Sequence, residues 1–304
     1  MSLRGQCSPA PMLLRGLPEA ISNNAGDCFV AKSRSAPRND ITIPLKELKF
    51  LLAVWQANLL SIMEYRVAFL TQVIGMMLNN FIYFAIWIIF FDRFKDVRGW
   101  GVNDMYVTFG VLASAFGLVS LLFGNAFNLS DIIAKGRLDY YLSLPRPVLL
   151  HTIASRTIAS GMGDFLYGFV SYGLSGYFTW DGLVRYVLAT LLAATVFVAF
   201  LILTQSLAFW FGMMNNFSNL VLNAMLTFGI YPITLFDSYA KLILFTLIPA
   251  ALMGAIPAEF IRAFTWQTLG ELLLGAIGFL TLAIFTFRMG LRRYESGSAI
   301  QIEV

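Results

Sequence analysis

The sequence predicts an all-α integral membrane protein, and three observations carry that prediction. Hydrophobic residues fill 58% of the 304 positions and charged residues only 12%, where a soluble domain averages about 25% charged. Long uncharged runs recur, the longest holding 51 residues between Arg185 and Asp237. An apolar stripe at helical spacing precedes the first of these runs. The same composition excludes other classes. A soluble enzyme of this length needs far more polar residues to cover its surface. His151 is the lone histidine, so a histidine-rich metal centre cannot form. Cys7 and Cys28 both lie in a polar stretch, which excludes a disulfide scaffold.

Residues 1–44 are rich in Ser, Pro, Gly, Asn and Ala and contain no sustained apolar run or signal-peptide core. They are expected to form a disordered cytoplasmic tail. Over 45–64, Leu48, Leu51, Leu52, Trp55, Leu59 and Ile62 follow the i, i+3, i+4, i+7 rule, while Lys46, Lys49, Gln56 and Ser61 stay largely off that face. Such a helix is expected to lie flat in the membrane interface.

A charge at mid-bilayer costs about 2.5–3.5 kcal/mol, so spans show as gaps between charges. Val67 to Phe91 gives 25 uncharged residues. As a helix they cover roughly 37 Å, against a hydrocarbon core of about 30 Å. The gap between Asp104 and Asp131 gives the second span, over about 105–129. The third covers 157–179, with Asp164 its only charge. The longest gap extends roughly 77 Å as a helix, enough for two crossings. Its turn is expected at Gly212–Asn216, placing spans four and five at 184–211 and 217–236. Leu242 to Ala258 has only 17 residues and contains Pro249 and Pro257. Proline disrupts a helix interior, so this piece is expected to be a re-entrant or interfacial hairpin. The last span covers 268–287, with Glu271 near its outer end. The expected layout is thus a six-span domain over 65–293 and a cytoplasmic tail over 294–304.

Six spans put both termini on one side. With the termini inside, 15 basic residues fall inside and 6 outside, in agreement with the positive-inside rule. Both termini are therefore expected to be cytoplasmic.

No phosphate-binding loop, dinucleotide fingerprint or H-E-x-x-H motif is present. No catalytic residue, metal site or nucleic-acid contact is expected. The membrane-embedded acids, Asp164 and Glu271, are far apart and expected at interface positions with carboxylates reaching headgroups. The most informative cytoplasmic piece follows the second span: Ser130-Asp-Ile-Ile-Ala-Lys-Gly-Arg-Leu-Asp-Tyr-Tyr-Leu-Ser-Leu-Pro-Arg-Pro147. A short helix stops at Gly136, and Pro145 and Pro147 block helix propagation. The result is a short, rigid projection with charges and aromatics at its tip, which suits docking a soluble partner; an ordinary structured connecting loop is the other reading of the same residues.

Over about 45–293 the chain resembles the permease subunit of a type-2 ABC exporter. Three features carry the resemblance: the amphipathic helix before the first span, the segment Ile132 to Pro147 with its Gly and Leu-x-x-Pro landmarks, and the proline-marked series Tyr231–Phe236, Phe245–Pro249 and Ile256–Ala258. The tail 1–44 departs from the pattern. The resemblance implies a separate cytosolic ABC-type ATPase, which binds ATP and Mg and docks on the coupling segment. Asp131, Lys135, Gly136, Arg137, Asp139, Tyr140, Tyr141 and Pro145 are the coupling candidates. It also implies a second permease subunit, identical or related, with the substrate path between the two. Candidates for lining that path are Asn79, Asn80, Asn125, Asn128, Asn215, Asn219 and Asn223. Two other classes stay open: an ion-coupled secondary transporter, which needs a coupling carboxylate, and a membrane assembly protein without transport.

Overall fold

A computed structural model describes residues 45–294. The expected N-terminal tail, and the C-terminal tail beyond Tyr294, lie outside the described residues. The described residues form helices and no strand. In chain order these are α1 (Leu45–Met63), α2 (Arg66–Arg93), α3 (Val102–Leu122), α4 (Leu129–Ala134), α5 (Leu138–Leu142), α6 (Val148–Ala154) and α7 (Gly161–Leu174). They continue with α8 (Trp180–Ser206), α9 (Ala208–Phe211), α10 (Asn215–Gly229), α11 (Ser238–Thr246), α12 (Ala255–Arg262) and α13 (Trp266–Arg293). Short 3₁₀ turns occupy Gly124–Asn128 and Ile233–Leu235.

Four helices are long and apolar enough to cross a membrane: Arg66–Arg93, Val102–Leu122, Trp180–Phe211 and Trp266–Arg293. At the places expected for the third and fifth spans, α7 and α10 have 14 and 15 residues. Helices of that length cover roughly 21–23 Å, less than the bilayer core.

Local chemistry sets the helix ends. The hydroxyls of Thr179 and Thr265 accept from Gly182 N (3.0 Å) and Thr268 N (3.2 Å) and start α8 and α13. Helix α3 stops at Leu122, before the expected end at 129, because the turn 156–158 crosses its end. There Gly124 N donates to Arg156 O (3.0 Å), Ile158 N to Ser120 O (2.9 Å) and Thr157 Oγ1 to Leu121 O (2.8 Å). The same turn delays the start of α7 to Gly161. Pro257 does not interrupt a helix as expected. It sits in the first turn of α12, where a missing N–H costs nothing.

The core is built around α3 and α8. Helix α7 packs most extensively against α3. Gly110 and Gly117 of α3 face Gly168 and Gly161 of α7, and a Cβ at Gly117 would lie 2.6 Å from Gly161 O. Small residues at this spacing let two membrane helices approach by backbone contact. Tyr186 of α8 crosses to α3, where its hydroxyl meets Gly110 O (3.1 Å) and Ser114 Oγ (2.7 Å). Helix α2 lies outermost and buries only Val73, Phe84 and Phe91. Met77 and Trp87 pack partly against the core, and most of its other large apolar side chains face outward, as a lipid-facing or subunit-facing surface requires.

Helix α1 is amphipathic, but its packed face differs from the expected stripe. Leu51 is buried while Leu48 and Leu52 stay exposed. Glu47, Phe50, Trp55 and Asn58 turn toward the body of the protein. The polar members of that face find partners on distant segments, which a periodicity argument does not see.

Candidate coupling surface and polar face

The loop after α3 folds into three short helices at one end of the bundle. Helix α4 ends at Ala134, and Gly136 follows with a φ of +69°, a left-handed conformation that suits glycine. One turn of helix, α5, comes next. A tight turn follows, in which Arg146 N donates to Leu144 O (2.8 Å), and the extended Pro147 leads into α6.

Of the eight coupling candidates, Lys135, Arg137, Tyr140 and Pro145 are exposed, and Tyr140 stands out at 65%. The other four are turned toward the protein. Asp131 pairs with Lys135 along α4 (3.4 Å). Gly136 is buried. The Tyr141 hydroxyl shares a hydrogen bond with Ser155 Oγ (2.9 Å). Asp139 lies against the hydroxyl of Tyr294, just beyond α13. Burial, with the hydrogen bond and charge of Asp139, pushes that phenol up to about 12.

Behind this tip sits a residue absent from the candidates. Gln205, near the end of α8, is fully buried. Its amide nitrogen donates to Phe127 O (2.8 Å) and its oxygen accepts from Ser130 N (3.0 Å). The first N–H groups of a helix lack intrahelical partners, so the glutamine completes the start of α4. Ser130 Oγ in turn accepts from Met214 N (2.8 Å), just before α10. One buried amide and one hydroxyl thus join α4, α8 and α10. The available signal was a lone glutamine in an otherwise apolar run.

Helix α1 braces the other side. Arg146 pairs with Glu47 (2.6 Å) and lies over the Phe50 ring (4.5 Å). Trp55 Nε1 donates to Leu122 O (2.8 Å) and Asn58 Nδ2 to Ala154 O (3.1 Å), so α1 satisfies the last carbonyls of α3 and α6. His151 stands edge-on to Phe50 and Tyr141. Burial, then the charge of Arg146, holds its imidazole below the usual value, with Glu47 opposing.

The asparagine candidates separate into two groups. Asn80 donates to Asp164 Oδ1 (2.7 Å) and Asn125 to Ser155 Oγ (2.6 Å). Asn128 and Asn215 are half-buried near the starts of α4 and α10. Asn79, Asn219 and Asn223 are exposed. Asn216, Asn219 and Asn223 are three and four residues apart, so they share one face of α10. Asp164 departs from its expected place. It is 3% exposed and bonded to Asn80, because close packing of α7 on α2 encloses it. Glu271 is half-buried and accepts from Gln267 Nε2 (3.0 Å).

At the opposite end, Asp104 gathers three partners. Arg262 Nε lies 3.0 Å from Oδ1, Tyr177 donates its hydroxyl to Oδ1 (3.0 Å), and Gly101 N donates to Oδ2 (2.8 Å). Arg262 also donates to Gly99 O (3.1 Å) and lies over the Trp100 ring (5.3 Å). Burial first, then the Asp104 contact, raises the Tyr177 phenol and keeps it a neutral donor.

The long apolar helices are those of a multi-pass membrane protein, and no cluster of three metal-ligating side chains occurs among the described residues. The family model described as "ABC-2 family transporter protein" matches residues 49–298, and the chain belongs to that family of membrane transport components. Membership implies association with an ABC ATPase subunit. No curated protein and no solved structure matches the chain.

Proposed function

We propose that the chain is the membrane-spanning subunit of an ATP-driven exporter in a bacterial inner membrane, with ATP and Mg bound by a separate cytosolic ATPase. The observation that carries this reading is the surface at 135–145. Lys135, Arg137, Tyr140 and Pro145 are exposed, while Gln205, Ser130, Tyr141 and Arg146 tie the flanking positions to the body of the protein. Exposed charge and an aromatic anchor on a braced support are what a docking surface needs. Force applied at that tip reaches α8 and α10 through the Gln205 and Ser130 bonds.

Six crossings with both termini cytoplasmic fit this role. Helix α7 starts beside the end of α3 and leads to Tyr177, which bonds Asp104 near the start of α3. Helix α10 starts beside Ser130 and ends where Gly229 abuts Gly254. A Cβ at Gly254 would lie 3.1 Å from Thr108, a turn deeper than Asp104, and α12 then climbs back until Arg262 meets Asp104. That descent and return support a re-entrant hairpin over 242–258. The asparagine face of α10 supports a second permease subunit, because amides within a membrane require a partner or water.

Copurification from native membranes in mild detergent tests the proposal. An ABC-class ATPase and a second permease copy are the expected partners, and a preparation with neither rejects it. The buried Asp164 favours one alternative, ion-coupled transport. Transport by Asp164→Asn at the wild-type rate excludes that alternative, and loss of coupling to an ion gradient would establish it.

A further inference from the structure

Where α1 turns into α2, a groove of about 310 Å³ opens between the α1–α2 elbow and the turn that leads into α7. Its rim carries Tyr65, Gln72 and Arg156, all exposed. Its apolar wall is formed by Ile62, Phe69 and Ile158. We propose that this groove binds the phosphate headgroup of an anionic phospholipid, with the start of an acyl chain along the apolar wall.

The position fits a lipid. Tyr65 immediately precedes α2, whose uncharged stretch begins at Val67, so the groove starts at the membrane–water boundary. Gln72 lies about 9 Å further along the helix axis from Arg66, the depth at which headgroup gives way to hydrocarbon. Tyrosine at this level is the usual interfacial residue.

The charge fits as well. Arg156 makes no ion pair or side-chain hydrogen bond among the described residues. Its backbone is fixed, since its carbonyl accepts from Gly124 N (3.0 Å) and Thr157 beside it donates to Leu121 O (2.8 Å). A guanidinium whose backbone anchor is fixed at the membrane surface, with a fork that matches a phosphate and no competing partner, is free to take an anion. The flanking apolar wall distinguishes it from a site for a free ion. The inference rests on α2 crossing the bilayer and does not depend on the ATPase or on which side of the membrane α1 occupies.

The test uses the full chain purified in detergent, titrated with phosphatidylglycerol, phosphatidylcholine or inorganic phosphate, with bound lipids counted by native mass spectrometry. Phosphatidylglycerol is expected to fill one site per chain more tightly than phosphatidylcholine. Arg156→Gln is expected to weaken that binding about tenfold, since a charge-assisted contact to phosphate is lost. Arg156→Lys should retain part of it. Arg292→Gln, an exposed change at the end of α13, should leave it unchanged. Melting curves of each variant check folding, and Gln72→Leu provides a second variant expected to weaken the same site. Equal phosphatidylglycerol binding by wild type and Arg156→Gln would overturn the inference. So would an equal loss in Arg292→Gln, which would show general surface charge, or displacement of the lipid by millimolar inorganic phosphate, which would show an ion site.

Discussion

At the end of the bundle that carries Asp104, charge is turned inward: one carboxylate is shared by an arginine, a tyrosine and a backbone N–H. At the end that carries α4–α6, the deepest link between helices is neutral, with the Arg146–Glu47 ion pair and Asp139 to its side. Gln205 and Ser130 join the helices there, while Lys135, Arg137 and Tyr140 are exposed. The contrast teaches where each end keeps its binding capacity. An ionic cluster that satisfies itself locks loops together and withdraws its own charges from a partner, although Arg93, Lys95, Asp96 and Arg98 before α3 stay exposed. A neutral interior clasp gives comparable order and keeps the charges available.

The largest expected effect comes from breaking the inward cluster. Asp104→Ala leaves Arg262 and Tyr177 without their shared acceptor, and loss of one member of a mostly buried pair costs about 3 kcal/mol. Thermal unfolding in detergent should show a clear drop in midpoint, with the tip at 135–145 unaffected. Next is Gln205→Leu, which orphans Phe127 O and Ser130 N in the buried interior and costs about 2 kcal/mol. Hydrogen exchange at α4 should rise sharply, while exchange at α12 should not.

The smallest effect is a titration. The imidazole of His151 is held below its ordinary value, so the fold favours its neutral form. Its contribution is therefore present above about pH 6.5 and is lost as pH falls through the lowered folded value. The packing of α1 on α6 should loosen between pH 7.5 and 5, read by exchange of the α1 amides. His151→Phe should remove that pH dependence.

Much of this contrast could be anticipated from the sequence, and the remainder has a physical cause. Uncharged runs identify α2, α3, α8 and α13 because the cost of charge in a bilayer writes itself into composition. Gly136, Pro145 and Pro147 mark the short helices because those residues act on their own backbone. Gln205, Asp104 and Arg262 were not anticipated, since each acts through partners that sequence distance hides: Gln205 lies 75 positions from Ser130. Asp164 illustrates the same limit. Its place on the α2-facing side of α7 depends on glycine packing between helices, not on its distance from a span end.

The central claim is that the α4–α6 end, and not the Asp104 end, presents the docking surface for the proposed ATPase. The direct measurement is the amount of ATPase retained per permease after purification of Arg137→Glu/Tyr140→Ala and of Asp104→Ala, each with its melting temperature. A hot-spot anchor is worth about 2 kcal/mol, roughly thirtyfold in affinity. The double variant should therefore lose most of its ATPase with its melting temperature unchanged, while Asp104→Ala should melt lower and keep its ATPase. Full ATPase retention by the folded double variant would contradict the account.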